Sequence, residues 1–309
     1  MTAVSRLWVG VAIAGLVATT SVPRGWYGAP SLAAQASAAQ GRQGAGERRE
    51  ALRLATGQGA RSGQASLPTR GGSLVATMRS EPRTFNPHAG RDFASSLVIG
   101  LTQARLFRIN RATQQLEPWL AESYACSPDA LSCTLKLRQG VTFSDGVPFT
   151  SADVVFSFQA AYDEKTGSPL GDALRVGGKP LAVTARDAHT VVVTFPSVFG
   201  PGLRLLDSLP ILPRHKLDAA FKSGTLRQQW GPAAPPADIA GLGPFVIQSY
   251  QPGQRIVLAR NPKYWRKDAA GAQLPYLDRL TFEITPDQNA ELLRLQSGQA
   301  DLTQSEVRP

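Results

Sequence analysis

The chain has 309 residues, 42% hydrophobic and 18% charged, enough apolar material for one large core or two smaller ones and too much for a wholly disordered or fibrous chain. Its 33 basic and 23 acidic residues give a net charge of +10, but eight arginines set against Glu47 and Glu50 place +6 of that within residues 1–71. The remaining +4 forms no long basic stripe with interleaved aromatics, so no nucleic-acid partner is expected.

Residues 1–38 are a different material from the rest. Arg6 gives a positive start, Leu7 to Thr19 is an apolar run too short to span a bilayer comfortably, and Ala36-Ser37-Ala38 fits a cleavage site of the A-x-A kind. An export signal is expected, with a retained membrane anchor as the alternative because Trp26 and Tyr27 lengthen the segment before the cleavage point. No Cys lies near the site, which argues against a lipid anchor. Residues 39–71 are Ala, Gln, Gly, Ser and Arg with almost no large apolar groups, and such a stretch cannot bury enough surface to offset the entropy of ordering it. It reads as a flexible tether, and the protein as exported, periplasmic or associated with the cell surface.

The folded part is expected over 72–309. A short strand over 71–79 stops at Glu81-Pro82, and Asn86-Pro87 adds a turn. Residues 94–107 carry Leu97, Leu101 and Ala104 or Leu106 at helical spacing, predicting an amphipathic helix. A hairpin follows from about Glu122 to Arg138, with Cys126 ending one strand and Cys133 beginning the next. Opposed positions of an antiparallel pair lie at disulfide distance, so a Cys126–Cys133 bridge is expected in an oxidising compartment; the alternative is two separate small apolar residues. Val141 and Phe143 alternate as a strand, Asp145-Gly146 reverses the chain, and Thr150 caps a helix whose third residue is Asp153 and whose buried face is Val154, Val155, Phe158 and Tyr162. Residues 181–196 make a second hairpin, 238–265 two strands joined at Pro252-Gly253, 277–284 another strand, and 287–302 a helix ended by Gly298. Strands and helices mix without a strict βαβ rhythm, which gives a mixed α/β or α+β class.

Catalytic constellations are scarce. His88, His189 and His215 show no metal-ligand spacing, no G-x-S-x-G elbow occurs, and Ser297 sits at a helix end. The Gly241-Leu242-Gly243-Pro244 run fails as a phosphate loop because Pro244 removes a donor where the cradle needs one. Asp145 and Asp153 have turn and cap duties. No enzyme activity, metal or cofactor is expected.

Residues 118–158, PWLAESYACSPDALSCTLKLRQGVTFSDGVPFTSADVVFSF, resemble the signature region of the family 5 extracellular solute-binding proteins of ABC importers, the dipeptide, oligopeptide and nickel binding components. Further blocks fall in the family's order: EPRTFNPH (81–88), ILPRH (211–215), GLGPF (241–245), LARNPKYW (258–265) and LQSGQADL (295–302). Tyr124 stands where the family usually has Trp, Leu242 and Phe245 stand where it commonly has Thr and Tyr, and the Cys pair is not a general family feature. Members are much longer, so the resemblance implies a truncated sequence whose second lobe would begin near Pro309.

The resemblance implies a type II periplasmic-binding-protein-like fold, with this chain as the first lobe of a two-lobed clamp. It further implies a monomer that captures a peptide or other small solute in the interlobe cleft and delivers it to ABC transporter permease subunits. A nickel, sugar or other small-solute binder is the alternative within the family, with His88 as the nearest metal contact; an exported hydrolase or a receptor is the alternative outside it. The loop after the NPH block lines the cleft in peptide-binding relatives. Here it reads Ala89-Gly90-Arg91-Asp92-Phe93-Ala94, which implies Arg91 for a ligand carboxylate, Asp92 for an amino group and Phe93, with Ala94 beside it, for an apolar side chain; the alternative is an ordinary solvated loop capping the helix from Ala94. The loop from Ser168 to Leu174 is a second, weaker candidate.

Overall fold

The computed structural model of the protein describes residues 70–303, so the expected export segment and nearly all of the tether lie outside the described residues. Two sheets carry the fold. The first has five strands: β1 (Ser73–Met78), β10 (Phe245–Gln251), β11 (Arg255–Arg260), β12 (Arg279–Ile284) and β13 (Leu302–Thr303), in the order β10-β11-β12-β1-β13. β1 pairs in parallel with both β12 and β13, whereas β11 runs antiparallel to β10 and β12. Sequence alternation decides which side faces the core: Leu280, Phe282 and Ile284 of β12 and Ile256 and Leu258 of β11 are buried, while their neighbours are not.

The second sheet is antiparallel, in the order β4 (Ala121–Cys126), β5 (Ser132–Leu137), β9 (Thr190–Thr194) and β8 (Ala182–Asp187). These are the two predicted hairpins. Cys126 opposes Cys133 across β4 and β5, the Cα atoms are 4.0 Å apart, and the two sulfurs are joined. Two small ribbons complete the strands: β2 (Phe107–Ile109) with β3 (Leu116–Pro118), and β6 (Arg175–Val176) with β7 (Lys179–Pro180).

Helices α1 (Phe93–Thr102), α2 (Ser151–Tyr162), α3 (Leu170–Ala173), α4 (Arg214–Lys222) and α5 (Gln288–Gln296) pack around these sheets. α2 divides the interior. Its Val154, Phe158 and Ala161 join the core under the four-stranded sheet, while Phe156 and Ala160 join the core of the five-stranded one. Burial therefore runs around most of the helix; of the face expected from Val154, Val155, Phe158 and Tyr162, Val154 and Phe158 are buried and Val155 and Tyr162 only half-buried. Its N-terminus forms the predicted cap: the Thr150 N–H donates to Asp153 Oδ2 at 2.9 Å, and Asp153 Oδ1 also accepts from the Arg214 N–H at 3.0 Å, tying α2 to α4.

Two further expectations are corrected. α1 ends at Thr102, short of Ala104 and Leu106; it fully buries Ala94, Ser95, Val98, Ile99 and Thr102, while the expected Leu97 and Leu101 are half-buried against the same core. Small residues on that face let the helix approach closely, and its end meets the Gly241–Gly243 run backbone to backbone. A Cβ on Gly241 would lie 2.0 Å from the Thr102 oxygen, and one on Gly243 would lie 2.4 Å from the Thr102 carbonyl carbon. The glycines are there for this crossing. The predicted strand at Val141 and Phe143 is a single bridge, Thr142 to Pro148, because Pro148 has no N–H with which to continue a ladder. The reversal at Asp145-Gly146 forms as expected, with Gly146 at φ +96°.

Candidate functional site

β1 delivers the chain at Met78 into the segment 79–92, which runs to the start of α1. Short polar side chains hold this segment in one shape. Ser95 Oγ accepts from the Arg83 N–H at 2.9 Å and the Thr84 N–H at 3.2 Å; Thr84 Oγ1 accepts from the Asn86 N–H at 3.0 Å; Asn86 Oδ1 accepts from the His88 N–H at 2.9 Å. The same residues stitch the segment to a distant stretch of chain. Asn86 Nδ2 donates to the Leu226 carbonyl at 2.7 Å, and the Phe85 N–H donates to the Trp230 carbonyl at 2.8 Å. Gly90 fits because a Cβ there would come within 2.5 Å of the Thr84 methyl. At the other end of the segment the Tyr250 hydroxyl donates to Glu81, and this bond, with the Gly253 N–H, holds the Glu81 carboxyl below the usual range.

The consequence is an open depression of about 510 Å³ walled by Arg83, Arg91, Asp92, Arg227, Gln228 and Gly231, among others. Arg91 donates to the Pro169 carbonyl, and Arg227 Nη1 donates to the Gly167 carbonyl at 2.9 Å. The 167–169 stretch, which overlaps the start of the weaker sequence candidate, is thus brought against the stronger one. The lining holds three arginines and one aspartate; Arg91 and Arg227 are turned to the 167–169 loop, and the carboxylate is occupied as well: Asp92 is the N-cap of α1, its Oδ1 accepting from the Ser95 N–H at 2.8 Å. Of the other residues expected to contact ligand, Phe93 is 58% exposed, while Ala94 is 0% exposed and belongs to the core, so its methyl faces away from any solute. Arg83 and Arg227 carry no local signal in the sequence; Arg227 lies about 140 positions from Asn86, and only the fold joins the two stretches.

His88 offers no contact. Its ring is fully buried, neither nitrogen has a well-formed hydrogen bond, and burial pushes its pKa down to about 4, opposed in part by the Pro210 carbonyl. No group of three metal-ligating side chains exists among the described residues. Asp145 meets His215 at 2.7 Å, which fixes the turn onto α4. Burial raises the Asp145 pKa, yet the His215 hydrogen bond, the Val147 N–H and the charges of His215 and Lys216 bring it net below the usual carboxylate range. What the depression can do chemically is hold an anionic group on forked donors.

Known proteins share this architecture. A probable ABC transporter-binding protein of Deinococcus radiodurans is 29% identical over 237 residues, 75% of this chain and 40% of that one. Two solved structures align closely. The ABC transporter substrate-binding protein CtaP of Listeria monocytogenes has a TM-score of 0.63 and 30% identity, covering 75% of this chain and 44% of that one. The oligopeptide-binding protein AppA of Bacillus subtilis, in complex with a nonapeptide, has a TM-score of 0.64 and 27% identity, covering 76% of this chain and 44% of that one. The chain therefore spans less than half the length of these relatives, and its mixed α/β fold is the fold of the matching part of the binding proteins. The profile described as "Bacterial extracellular solute-binding proteins, family 5 Middle" matches residues 115–308, most of the described fold, and the chain belongs to that family.

Proposed function

We propose that this chain supplies the first lobe of a solute-binding component of an ABC importer, with peptides as its ligands and membrane permease subunits as its partners. One observation carries the reading: Arg83, Arg91 and Arg227 line one open depression beyond the end of β1, and the 79–92 part of its wall is held rigid by its own side chains. A guanidinium fork matches the C-terminal carboxylate of a peptide, and strand-like contacts to the peptide backbone give affinity with loose side-chain preference. Arg91 is the anchor; Asp92 acts as the cap that aims it. Phe93, exposed at the head of α1, is an apolar contact for a neighbouring ligand residue. The protein binds and does not transform its solute, with no cofactor, and works as a monomer. Closure onto the second lobe follows from contacts that the ligand makes to both lobes only in the closed state. Residues 1–38 direct export and 39–71 tether the fold at 72–309 outside the cytoplasm, where the Cys126–Cys133 bridge is stable.

Calorimetric titration of the full protein with peptides of three to nine residues tests this. Binding near micromolar is expected, weakened about tenfold or more by Arg91→Ala and to a similar degree by amidating the peptide C-terminus. If no peptide binds, or if amidated and free peptides bind alike and Arg91→Ala changes nothing, the reading is wrong.

A further inference from the structure

A second cavity, of about 390 Å³, lies at the opposite edge of the five-stranded sheet. β10 runs parallel to β12 and β1, so the starts of all three strands share one edge, and this cavity is walled by the residues just before them: Gly243 and Pro244 ahead of β10, Tyr276 ahead of β12. Gln103 and Arg105, just past the end of α1, complete that wall. The arginine depression sits at the other end of the same ten-residue helix, roughly 15 Å away.

The cavity's chemistry is specific. Trp119 forms an aromatic panel with the guanidinium carbons of Arg108 and Arg266 at 4.4 and 4.0 Å from its ring centre. Arg108 is already committed to Glu117 at 2.8 Å. Two other groups are not committed. Gln103 is 5% exposed, yet neither its amide nitrogen nor its amide oxygen has a partner, and the buried Nε of Arg105 has none either. Buried polar atoms without partners cost free energy, and three of them, the two amide atoms of Gln103 and the Nε of Arg105, belong to neighbouring residues of one wall. Against three guanidinium groups the wall sets one carboxylate, Asp207, whose Oδ1 already accepts from the Ile109 N–H at 3.3 Å.

We infer that this cavity binds a small organic carboxylate with a flat apolar body, its carboxylate on Arg105 and the Gln103 amide and its body between Gly100 and the Leu274–Tyr276 wall. The volume suits a ligand of about a dozen heavy atoms. The site is separate from the proposed peptide cleft and does not depend on that reading.

Fluorine NMR of 4-fluorobenzoate with the full protein tests the inference, with 4-fluorobenzyl alcohol as the neutral control. Saturable binding at roughly millimolar Kd is expected for the acid, a value in keeping with so small a probe, and at least about tenfold weaker binding for the alcohol. Gly100 also lines the cavity, and a Cβ there meets nothing within 4 Å, so Gly100→Leu fills the space in a helix that tolerates a side chain better than glycine. That variant should keep its fold, judged by its melting curve, and lose the acid. Gln103→Leu replaces an unpartnered amide with an apolar group and should also fold, with affinity down about tenfold. Arg91→Ala should leave acid binding intact. Absence of saturable binding, equal binding of acid and alcohol, binding that survives Gly100→Leu, or binding abolished by Arg91→Ala would each overturn the assignment.

Discussion

Gly243→Ala is the sharpest test of how the first depression is held in place. The added Cβ would lie 2.4 Å from the Thr102 carbonyl carbon, 2.5 Å from the Leu101 oxygen and 2.7 Å from the Thr102 oxygen, against ordinary contacts beginning near 3.4 Å. All three neighbours are backbone, so no rotamer change relieves the clash, and α1 must slide by roughly 1 Å. Overpacking of this kind costs about 1–3 kcal/mol, and losing the 3.0 Å bond from the Gly243 N–H to the Thr102 carbonyl adds about 1 kcal/mol. The lower entropy of an unfolded chain carrying Ala returns under about 1 kcal/mol. The net, near 3 kcal/mol, corresponds to a melting-temperature drop of about 6–10 °C for a unit of this size, read by differential scanning calorimetry. Because α1 carries Arg91 at its far end, peptide affinity should fall as well. Gly100→Ala is the control: in the same helix, with open space around its Cβ, it should stabilise by about 0.5–1 kcal/mol. A Gly243→Ala protein melting within about 2 °C of the parent, or a control equally damaged, would refute the backbone-crossing account.

Two further outcomes are expected. The His88 pKa is about 4 in the fold against an ordinary 6.5, so between those values the unfolded chain binds a proton that the folded chain refuses; stability from this group is complete above 6.5 and is lost as pH falls toward 4, by about 3 kcal/mol in all. His88→Leu should flatten that part of the stability curve, and an unchanged slope from urea unfolding at pH 7, 5.5 and 4 would count against it. For Cys126→Ser with Cys133→Ser, the short loop with a sequence separation of 7 gives a loss of about 2.5 kcal/mol on the loop-entropy estimate. Mass spectrometry of unreduced peptide showing two free thiols in exported protein would remove the basis for that figure.

Elements whose pattern is local are legible in the amino-acid sequence. The alternation in 181–196, the Pro252-Gly253 turn, the Thr150–Asp153 cap and the Gly298 stop all form where their side chains dictate. Failures come where tertiary contact overrides the pattern. α1 turns its small residues inward because a glycine run crosses its end, and α2 buries most of its circumference because a core lies on either side. α4, RHKLDAAFK, sets Leu217 and Phe221 one turn apart against the core, but it is only nine residues long and begins after Pro213 with no capping side chain to mark its start. The site divides in the same way. Arg91 and Asp92 are legible from their place after the NPH block, but Arg83 and Arg227 become partners only when Asn86 reaches Leu226, and Gln103 gains meaning only from lacking a partner inside a wall.

That division bears on how a peptide would be captured. Ordering a loose segment costs about 1 kcal/mol or more per residue, so fixing the fourteen residues between β1 and α1 upon binding would consume more than the roughly 8 kcal/mol of a micromolar complex. The segment escapes this cost because its backbone N–H groups are already spent within the lobe: Arg83 and Thr84 on Ser95, Asn86 on Thr84, His88 on Asn86, Phe85 on Trp230. Arg91, the proposed anchor, is therefore presented by a rigid surface, and any closing motion belongs to connections outside this network. Hydrogen exchange should show these five amides protected for minutes or longer in the free protein, with rates changing less than about twofold when peptide is added. Exchange within seconds in the free state, followed by protection on binding, would mean that the segment folds around its ligand and that the preformed arginine depression is not the form the peptide meets.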